Sequence, residues 1–364
     1  MKNLSIHKAT LFLIPIILGG IVSIYSDIFR ITISRFIDTM LTMNTFVYIA
    51  IVFSNVSFFA VGVLTYRRFA RKVKYQRKSL LIDALDPSFQ IPSGDSVIGR
   101  ELRYIEKYCS SKKDVVLLFH GLGLDADDYI PYMLATEVHS VALTLLGFNK
   151  EDRDNPRYKP ITLSTHIKLV IHFISYIHQK YPTKRISLIG FSLGADLILM
   201  LSQFIKIIDD LDINFIVLLD CNINRSTMNI SNAIANLDDQ SPIEGYKAIV
   251  NRSDNMIEYI NFMEYIHKIS KKDLLHIKKH AKDFIDYWGQ EKDYSQFISG
   301  LNRLIQLTSK VKCIFSAHYE DEFNIVYNTI LERNINAKVI ESIPKDHFQL
   351  MDPEYLNGLV RDLI

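Results

Sequence analysis

Cysteine and tryptophan are the scarcest residues of this chain, and this scarcity already excludes one class of protein. Of 364 residues only three are cysteine, at positions 109, 221 and 313, and one is tryptophan. Three cysteines cannot all pair within one chain, and they form no C-x-x-C motif, so a disulfide-stapled scaffold is excluded. A reducing, cytoplasmic setting is the simpler expectation for the part of the chain that carries them. We interpret Cys221 and Cys313, which lie in apolar surroundings, as small core residues.

The chain is nearly neutral, and it lacks the usual cofactor motifs. The formal net charge is +2 and 23% of the residues are charged, which gives no electrostatic reason to expect a nucleic-acid partner. No H-E-x-x-H, G-x-G-x-x-G or G-x-x-x-x-G-K-[ST] motif occurs, so we predict neither a metal nor another cofactor. The length is sufficient for a large core plus an appendage.

Charged side chains are absent from two apolar stretches near the N-terminus, residues 9–26 and 43–66. At about 1.5 Å per helical residue, each is long enough to cross the core of a bilayer. A secretory signal is the alternative for the first stretch, but the second favours a transmembrane hairpin. A basic block follows the second stretch, made of Arg67, Arg68, Arg71, Lys72, Lys74, Arg77 and Lys78.

The basic residues predict how the hairpin is oriented. Lys2 and Lys8 precede the first span, and the basic block follows the second. Because such residues stay on the cytoplasmic side, we predict that the N-terminus and everything after residue 78 are cytoplasmic. Residues 1–78 would thus anchor an integral membrane protein, of the inner membrane in a bacterium. The basic block is compatible with binding of anionic headgroups and equally with a simple stop-transfer role.

The rest of the chain has the alternating pattern of an α/β domain. Pro87, Pro92 and Gly94 indicate a linker and entry segment over 79–110, in which 99–109 has a helical appearance. Short apolar runs then alternate with helix-period stretches, which predicts a mostly parallel sheet flanked by helices. We expect strands over 115–119, 140–146, 186–189, 215–219, 311–315 and 337–342. The stretch 223–310 interrupts the alternation and is predicted as a helical cap inserted between core segments 111–222 and 311–364.

One segment has the pattern of a nucleophile turn. A buried strand ends at Gly190, G-x-S-x-G follows around Ser192, and a helical pattern begins at Leu193. A sharp strand-to-helix turn crowds the backbone around the serine, so Gly190 and Gly194 are the small residues that it needs. The turn places the hydroxyl at a helix N-terminus, where N–H groups favour developing negative charge. The alternative is an ordinary glycine-flanked turn with a solvated serine.

With this motif, the chain from about residue 114 to the C-terminus resembles the α/β-hydrolase family. Upstream, an apolar strand runs into His120 and Gly121, which is similar to the H-G-x-G turn of that family. The resemblance implies that the backbone N–H groups of Leu122 and Leu193 form the oxyanion hole. It gives His120 a structural role in the turn. The family normally opens with an antiparallel strand pair, so the predicted helix at 99–109 implies a sheet shortened at its first edge.

The resemblance also implies a general base and an acid. His347 lies after the last predicted strand and before a final helix, where the family has its catalytic histidine. For the acid, which fixes the imidazole tautomer, we favour Asp321, followed by Glu320 and then Asp220 at the end of the preceding strand. The family usually has a glycine before this acid, and here that glycine is absent.

These residues predict a membrane-anchored serine hydrolase that cleaves a carboxylic ester or thioester through an acyl-enzyme. The apolar N-terminal stretches suggest an acyl-lipid or other amphipathic small-molecule substrate. Acyl transfer by the same triad is an alternative, and a catalytically silent, membrane-tethered binding or scaffold protein is another. Two spans are too few for a transport pathway. The sequence leaves the acyl group, the leaving group and the oligomeric state open.

Overall fold

The computed structural model describes residues 75–364 except 86–90, 93, 150–157, 206–207, 209, 240, 254, 290–293 and 334. Both predicted membrane spans, 9–26 and 43–66, lie outside the described residues. Within the part of the chain that the structure describes, none of the helices has the length and hydropathy that a bilayer span requires.

Eight strands of the described chain form a single sheet with the spatial order β1-β2-β4-β3-β5-β6-β7-β8. β1 and β2 are antiparallel to each other, and β2 is antiparallel to β4. All later neighbours are parallel, which confirms the predicted mostly parallel sheet. The strands are β1 Tyr75–Leu81, β2 Glu101–Lys107, β3 Asp114–Phe119, β4 His139–Thr144, β5 Arg185–Phe191, β6 Ile213–Leu219, β7 Val311–Phe315 and β8 Ile340–Ser342.

The central strands are buried along their whole length. Every residue of β3, β4 and β6 is buried, and their sequences are continuous apolar runs with few interruptions. A parallel strand covered on both faces has this composition, because neither face meets water. The last strand is shorter than predicted, since residues 337–339 form a 3₁₀ turn and β8 begins only at Ile340.

The entry segment differs from the prediction. Residues 101–107, which we expected to be helical, form β2 between β1 and β4. Leu102, Tyr104 and Glu106 share one face of this strand and are all buried, and Ile105 and Lys107 on the other face are buried as well. The buried carboxylate of Glu106 is stabilised by His139 at 3.1 Å and Lys180 at 3.2 Å. These partners are remote in sequence, so the helical prediction was wrong for a tertiary reason.

The first edge of the sheet is complete, contrary to our expectation. β1 starts at Tyr75, so Arg77 and Lys78, which we assigned to the basic juxtamembrane block, belong to the folded domain. Arg77 Nη2 lies 2.9 Å from Asp127 Oδ2, and Lys78 pairs with the Glu106 carboxylate. Pairing with β2 therefore extends the domain into the basic block.

Ten α-helices accompany the sheet in the described chain, and five of them, α4 to α8, lie between β6 and β7. Within this cap, α7 packs against α4 and against the core helix α2, and α6 packs against α5. The helices are α1 Ile130–Ala135, α2 Leu163–Lys180, α3 Leu193–Leu201, α4 Asn229–Ala235, α5 Ile243–Val250, α6 Met256–Ile269, α7 Leu274–Trp288, α8 Ser295–Ile305, α9 Glu320–Glu332 and α10 Pro353–Leu363.

Candidate active site

The turn between β5 and α3 holds Ser192 in a strained conformation. Its φ is 52° and its ψ is −121°. Residues other than glycine adopt this combination rarely, because it strains the backbone. The backbone is fixed on both sides. Ser192 N donates to Leu219 O at 2.7 Å, and Ala195 N donates to Ser192 O at 2.8 Å. The hydroxyl is thereby raised at the carboxyl edge of the sheet, at the N-terminus of α3.

Gly190 and Gly194 make this turn sterically possible. A Cβ atom on Gly190 would lie 2.4 Å from Gly194 O, and one on Gly194 would lie 2.1 Å from Phe119 O. In both cases the obstacle is backbone, which cannot rotate away. The requirement for small residues on both sides of the serine is therefore a property of the folded turn.

His347 is oriented by Asp220, and this pair corrects our choice of acid. His347 Nδ1 lies 2.7 Å from Asp220 Oδ2, while Ser316 N donates to Asp220 Oδ1 at 2.6 Å. Asp220 is fully buried and directly follows β6, with a φ of 48°. With Nδ1–H donated to the carboxylate, Nε2 of the imidazole remains as the acceptor. His347 also packs its ring 4.7 Å from the ring of Phe191.

Asp321, the acid that we favoured, does not contact His347. The segment after β7 forms a 3₁₀ turn over Ala317–Tyr319 that runs directly into α9. Asp321 is therefore in the first turn of a helix, with an exposed side chain. The side chain of Glu320, the second choice, lies outside the described part of the structure. Because Ser–acid–His order is satisfied after β6 as well as after β7, chain order alone could not separate Asp220 from Asp321.

The turn after β3 provides the second predicted oxyanion amide. Neither Leu122 N nor Leu193 N donates to an acceptor among the described residues, and Leu193 is the first residue of α3. The Leu122 carbonyl is held from the cap, since Tyr265 Oη donates to it at 3.0 Å. Gly121 lies against the nucleophile turn, with its Cβ position 3.3 Å from Ser192 Cβ. The two free amides are thus placed on turns next to the serine.

His120 makes hydrogen bonds to backbone atoms with both of its ring nitrogens. Its Nδ1 donates to Gly121 O at 2.8 Å, and its Nε2 accepts from Leu145 N at 3.1 Å. Burial lowers the pKa of His120 to about 4, so the ring is neutral at physiological pH. A neutral ring can donate at one nitrogen and accept at the other, which is what this position requires.

A cavity of about 200 Å³ contains both Ser192 and His347. Its walls come from the loop after β6, the cap and the turn after β7. Its surface is divided about equally between polar and apolar atoms, and the apolar part includes Met228, Ile230 and Phe262. Asn222, Glu258 and His318 also line the cavity.

A buried carboxylate next to this cavity connects α3 to the cap. Asp196 of α3 is fully buried and accepts from Asn222 N at 2.7 Å, Asn222 Nδ2 at 2.6 Å and Trp288 Nε1 at 3.2 Å. Burial raises the pKa of Asp196 to about 7, against the opposing effect of the hydrogen bonds from Asn222 and Trp288. Asn222 lines the cavity, so this carboxylate fixes one of its walls.

The raised pKa of Asp196 predicts a pH-dependent stability. A pKa of about 7 in the folded state exceeds the value of about 3.9 in the unfolded chain, so the folded state binds the proton more tightly. The contribution of this proton to the free energy of unfolding is fully present below about pH 4. It is lost as the pH rises towards 7, at up to about 1.4 kcal/mol per pH unit. We expect urea unfolding of wild type to show this slope, and Asp196→Asn to lack it. If the free energy of unfolding had the same pH dependence in both proteins, the raised pKa of Asp196 would be contradicted.

Several of these residues had no sequence signal. Trp288, Tyr265 and Glu258 come from the cap, and no motif marks them. Asn222 follows the buried strand β6 by three residues, so its position at the carboxyl edge was a usable signal. Among the described residues, no group of three or more His, Cys, Asp or Glu side chains is arranged to hold a metal ion.

Solved structures with the same fold place the chain in the α/β-hydrolase class of architectures. MenH from S. aureus is 16% identical and matches with a TM-score of 0.51 over 71% of this chain and 97% of its own. A structure from work on carboxylesterases of the Thaumarchaeon Nitrososphaera gargenis is 12% identical, with a TM-score of 0.53 over 79% of this chain and 98% of its own.

A third similar structure belongs to a protein with different chemistry. A variant of AqdC, described as recognising the Pseudomonas quinolone signal and cleaving its ring, is 11% identical, with a TM-score of 0.53 over 79% of this chain and 98% of its own. No protein-family model and no curated protein matches the sequence. At these identities the likeness establishes the fold, and the reaction has to be argued from the site.

Proposed function

We propose that this chain is a serine hydrolase that cleaves a carboxylic ester or thioester through an acyl-enzyme. The observation that carries the proposal is that His347, whose Nδ1 is held by the buried Asp220, lines the same cavity as Ser192, which lies on a strained turn. A serine hydroxyl is a poor nucleophile until a base takes its proton, and an imidazole with its Nδ1–H held by a carboxylate is suited to that task.

In the proposed reaction, Ser192 Oγ attacks the acyl carbon and His347 Nε2 accepts the hydroxyl proton. The carbonyl oxygen becomes an oxyanion that the N–H groups of Leu122 and Leu193 stabilise. His347 then donates its proton to the leaving alcohol or thiol. A water molecule, deprotonated by His347, then attacks the acyl carbon; the bond to Ser192 Oγ breaks, Oγ takes the proton back from His347, and the acid is released. Asp220 holds the neutral imidazole in the required tautomer and stabilises the imidazolium that forms in each half of the reaction.

Labelling with a fluorophosphonate probe tests this proposal. We expect wild type to react and both Ser192→Ala and His347→Ala to lose labelling, because the probe requires an activated serine. Ser270→Ala changes an exposed serine of the cap and serves as the control that keeps labelling. Retained labelling in Ser192→Ala would place the nucleophile elsewhere, and an unlabelled wild type would favour the catalytically silent binding or scaffold protein.

Transfer of the acyl group to an acceptor other than water would use the same residues. The two reactions differ in their products, since hydrolysis releases free acid in proportion to alcohol. Measuring both products from a model ester, with and without an added alcohol acceptor, separates them.

We also propose that the segment before β1, residues 1–74, anchors the enzyme in the membrane with the catalytic domain in the cytoplasm. The uncharged stretches 9–26 and 43–66 and the flanking basic residues support this. The full chain should remain in the membrane pellet after alkaline carbonate washing. Added protease should digest the domain in inverted inner-membrane vesicles and leave it intact in right-side-out vesicles, and the opposite pattern would overturn the orientation.

A further inference from the structure

A second hollow adjoins the catalytic cavity. This outer groove has a volume of about 620 Å³, and its walls include Met256 and Ile257 at the start of α6 and Pro344 in the loop that carries His347. Glu258 and His318 line the outer groove and the catalytic cavity alike. The two spaces are therefore neighbours that share these two side chains as a common wall.

The shared wall is held by a contact between the cap and the core. His318 Nε2, in the 3₁₀ turn after β7, lies 2.5 Å from Glu258 Oε1 on α6. Asn255 caps this end of α6, since its side chain accepts from Glu258 N at 3.0 Å. The backbone of the wall is thus fixed, whereas the pair itself consists of two side chains with rotatable bonds.

The two sides of the wall differ in polarity. The catalytic cavity is small, at about 200 Å³, and its surface is divided about equally between polar and apolar atoms. The surface of the outer groove is mostly apolar, although Lys345, Asp346 and Gln349 also line it. Its two large apolar side chains are exposed to solvent, Met256 at 72% and Ile257 at 60%. Apolar surface of this kind gains free energy when a hydrocarbon covers it, at about 0.8 kcal/mol per buried CH₂ group. A hydrocarbon chain attached to the reacting ester is the occupant that both the chemistry and the continuity with the Ser192 cavity favour.

We propose that the outer groove is a second substrate subsite, which binds the hydrocarbon chain of the ester, and that the Glu258–His318 pair separates it from the catalytic cavity. The proposal rests on the proposed function, because it needs an ester held at Ser192. It makes Ile257 a specificity-determining residue and Glu258 a positioning residue that controls access.

Chain-length preference tests the subsite. The measured quantity is the ratio of kcat/KM for a long ester to that for a short one. p-Nitrophenyl octanoate against acetate varies the acyl side, and octyl acetate against ethyl acetate varies the alcohol side. We expect Ile257→Ser to lower the ratio about tenfold in one series, as for the loss of a few methylene contacts. The series that responds identifies which side of the ester occupies the groove.

Ile260→Ser is the matched control for this experiment. Ile260 lies on the same helix with 50% of its surface exposed, and it does not line the groove. The long-to-short ratio of kcat/KM for Ile260→Ser should equal that of wild type. An Ile257→Ser ratio equal to wild type in both series would overturn the subsite while the enzyme remained active. Absence of both esterase activity and fluorophosphonate labelling in wild type would instead overturn the proposed function, and the subsite with it.

Access through the wall is tested by Glu258→Gln. Removing the negative charge weakens the contact with His318, so the long-to-short ratio should rise about threefold in the series that responds to Ile257→Ser. Glu264→Gln neutralises an exposed glutamate of the same helix that lines neither space, and it should leave the ratio at the wild-type value. A Glu258→Gln ratio equal to that of Glu264→Gln would overturn the role of the pair as a partition.

Discussion

Asp220→Asn should lower kcat for ester hydrolysis by about 10⁴ while leaving the fold intact, on the scale of the loss found when this member of a triad becomes an amide. In wild type Ser316 N donates to Asp220 Oδ1, and the oxygen of the asparagine can accept the same hydrogen bond. Its NH₂ group then faces His347 Nδ1. The imidazole must accept there and carry its proton on Nε2, so it cannot take the proton of Ser192.

Asp321→Asn is the control, and it distinguishes the two acids directly. Asp321 is exposed in the first turn of α9, so its neutralisation should leave kcat within twofold of wild type. Steady-state kinetics on p-nitrophenyl acetate, with circular dichroism to check folding, measures both variants. A loss in Asp321→Asn with activity kept in Asp220→Asn would reverse our assignment of the acid.

Gly194→Ala should destabilise the whole domain, by on the order of 3 kcal/mol or more, because overpacking of this kind has no side chain to displace. The added methyl would lie 2.1 Å from Phe119 O and 2.6 Å from Phe119 C, at the end of the central strand β3. Relief requires separating α3 from β3, which also dismantles the turn that holds Ser192. Thermal unfolding of the purified full chain measures the loss.

Gly358→Ala makes the same chemical change where space is available. Nothing lies within 4 Å of a Cβ at Gly358, and this residue is inside the helix α10. Alanine is favoured over glycine in a helix by about 0.5–1 kcal/mol, so this variant should be slightly more stable than wild type. Equal melting temperatures for the two alanine variants would contradict the steric account of Gly194.

The central strands and the nucleophile turn were predictable because each is encoded in neighbouring residues. β3, β5 and β6 are short apolar runs, and a strand buried on both faces needs little else. The turn at Ser192 is local at Gly190, where the obstacles to a side chain are the backbone of Gly194 and Ala195, whereas at Gly194 the obstacle is Phe119 of β3. The position of His347 after the last strand could be inferred because parallel strands bring their carboxyl ends to one edge.

The entry strand shows where local pattern was insufficient. Residues 101–107 were predicted as a helix and form β2, because hydrogen bonding to strands on both sides outweighs intrinsic preference. Glu106 makes this possible, since its buried charge has partners on β4 and α2. Those partners are more than thirty residues away in the chain, so no window of the sequence contains them.

The sequence by itself determined where the serine turn, the H-G turn and the late histidine lie in the chain, because each is marked by a short motif or by its place directly after a strand. Only the tertiary structure decided that Asp220 holds His347, and that Glu258 and His318 form a wall between two spaces. These choices depend on which strand end and which cap helix come together. That is a property of the packed chain, in which contacts between distant residues are selected jointly.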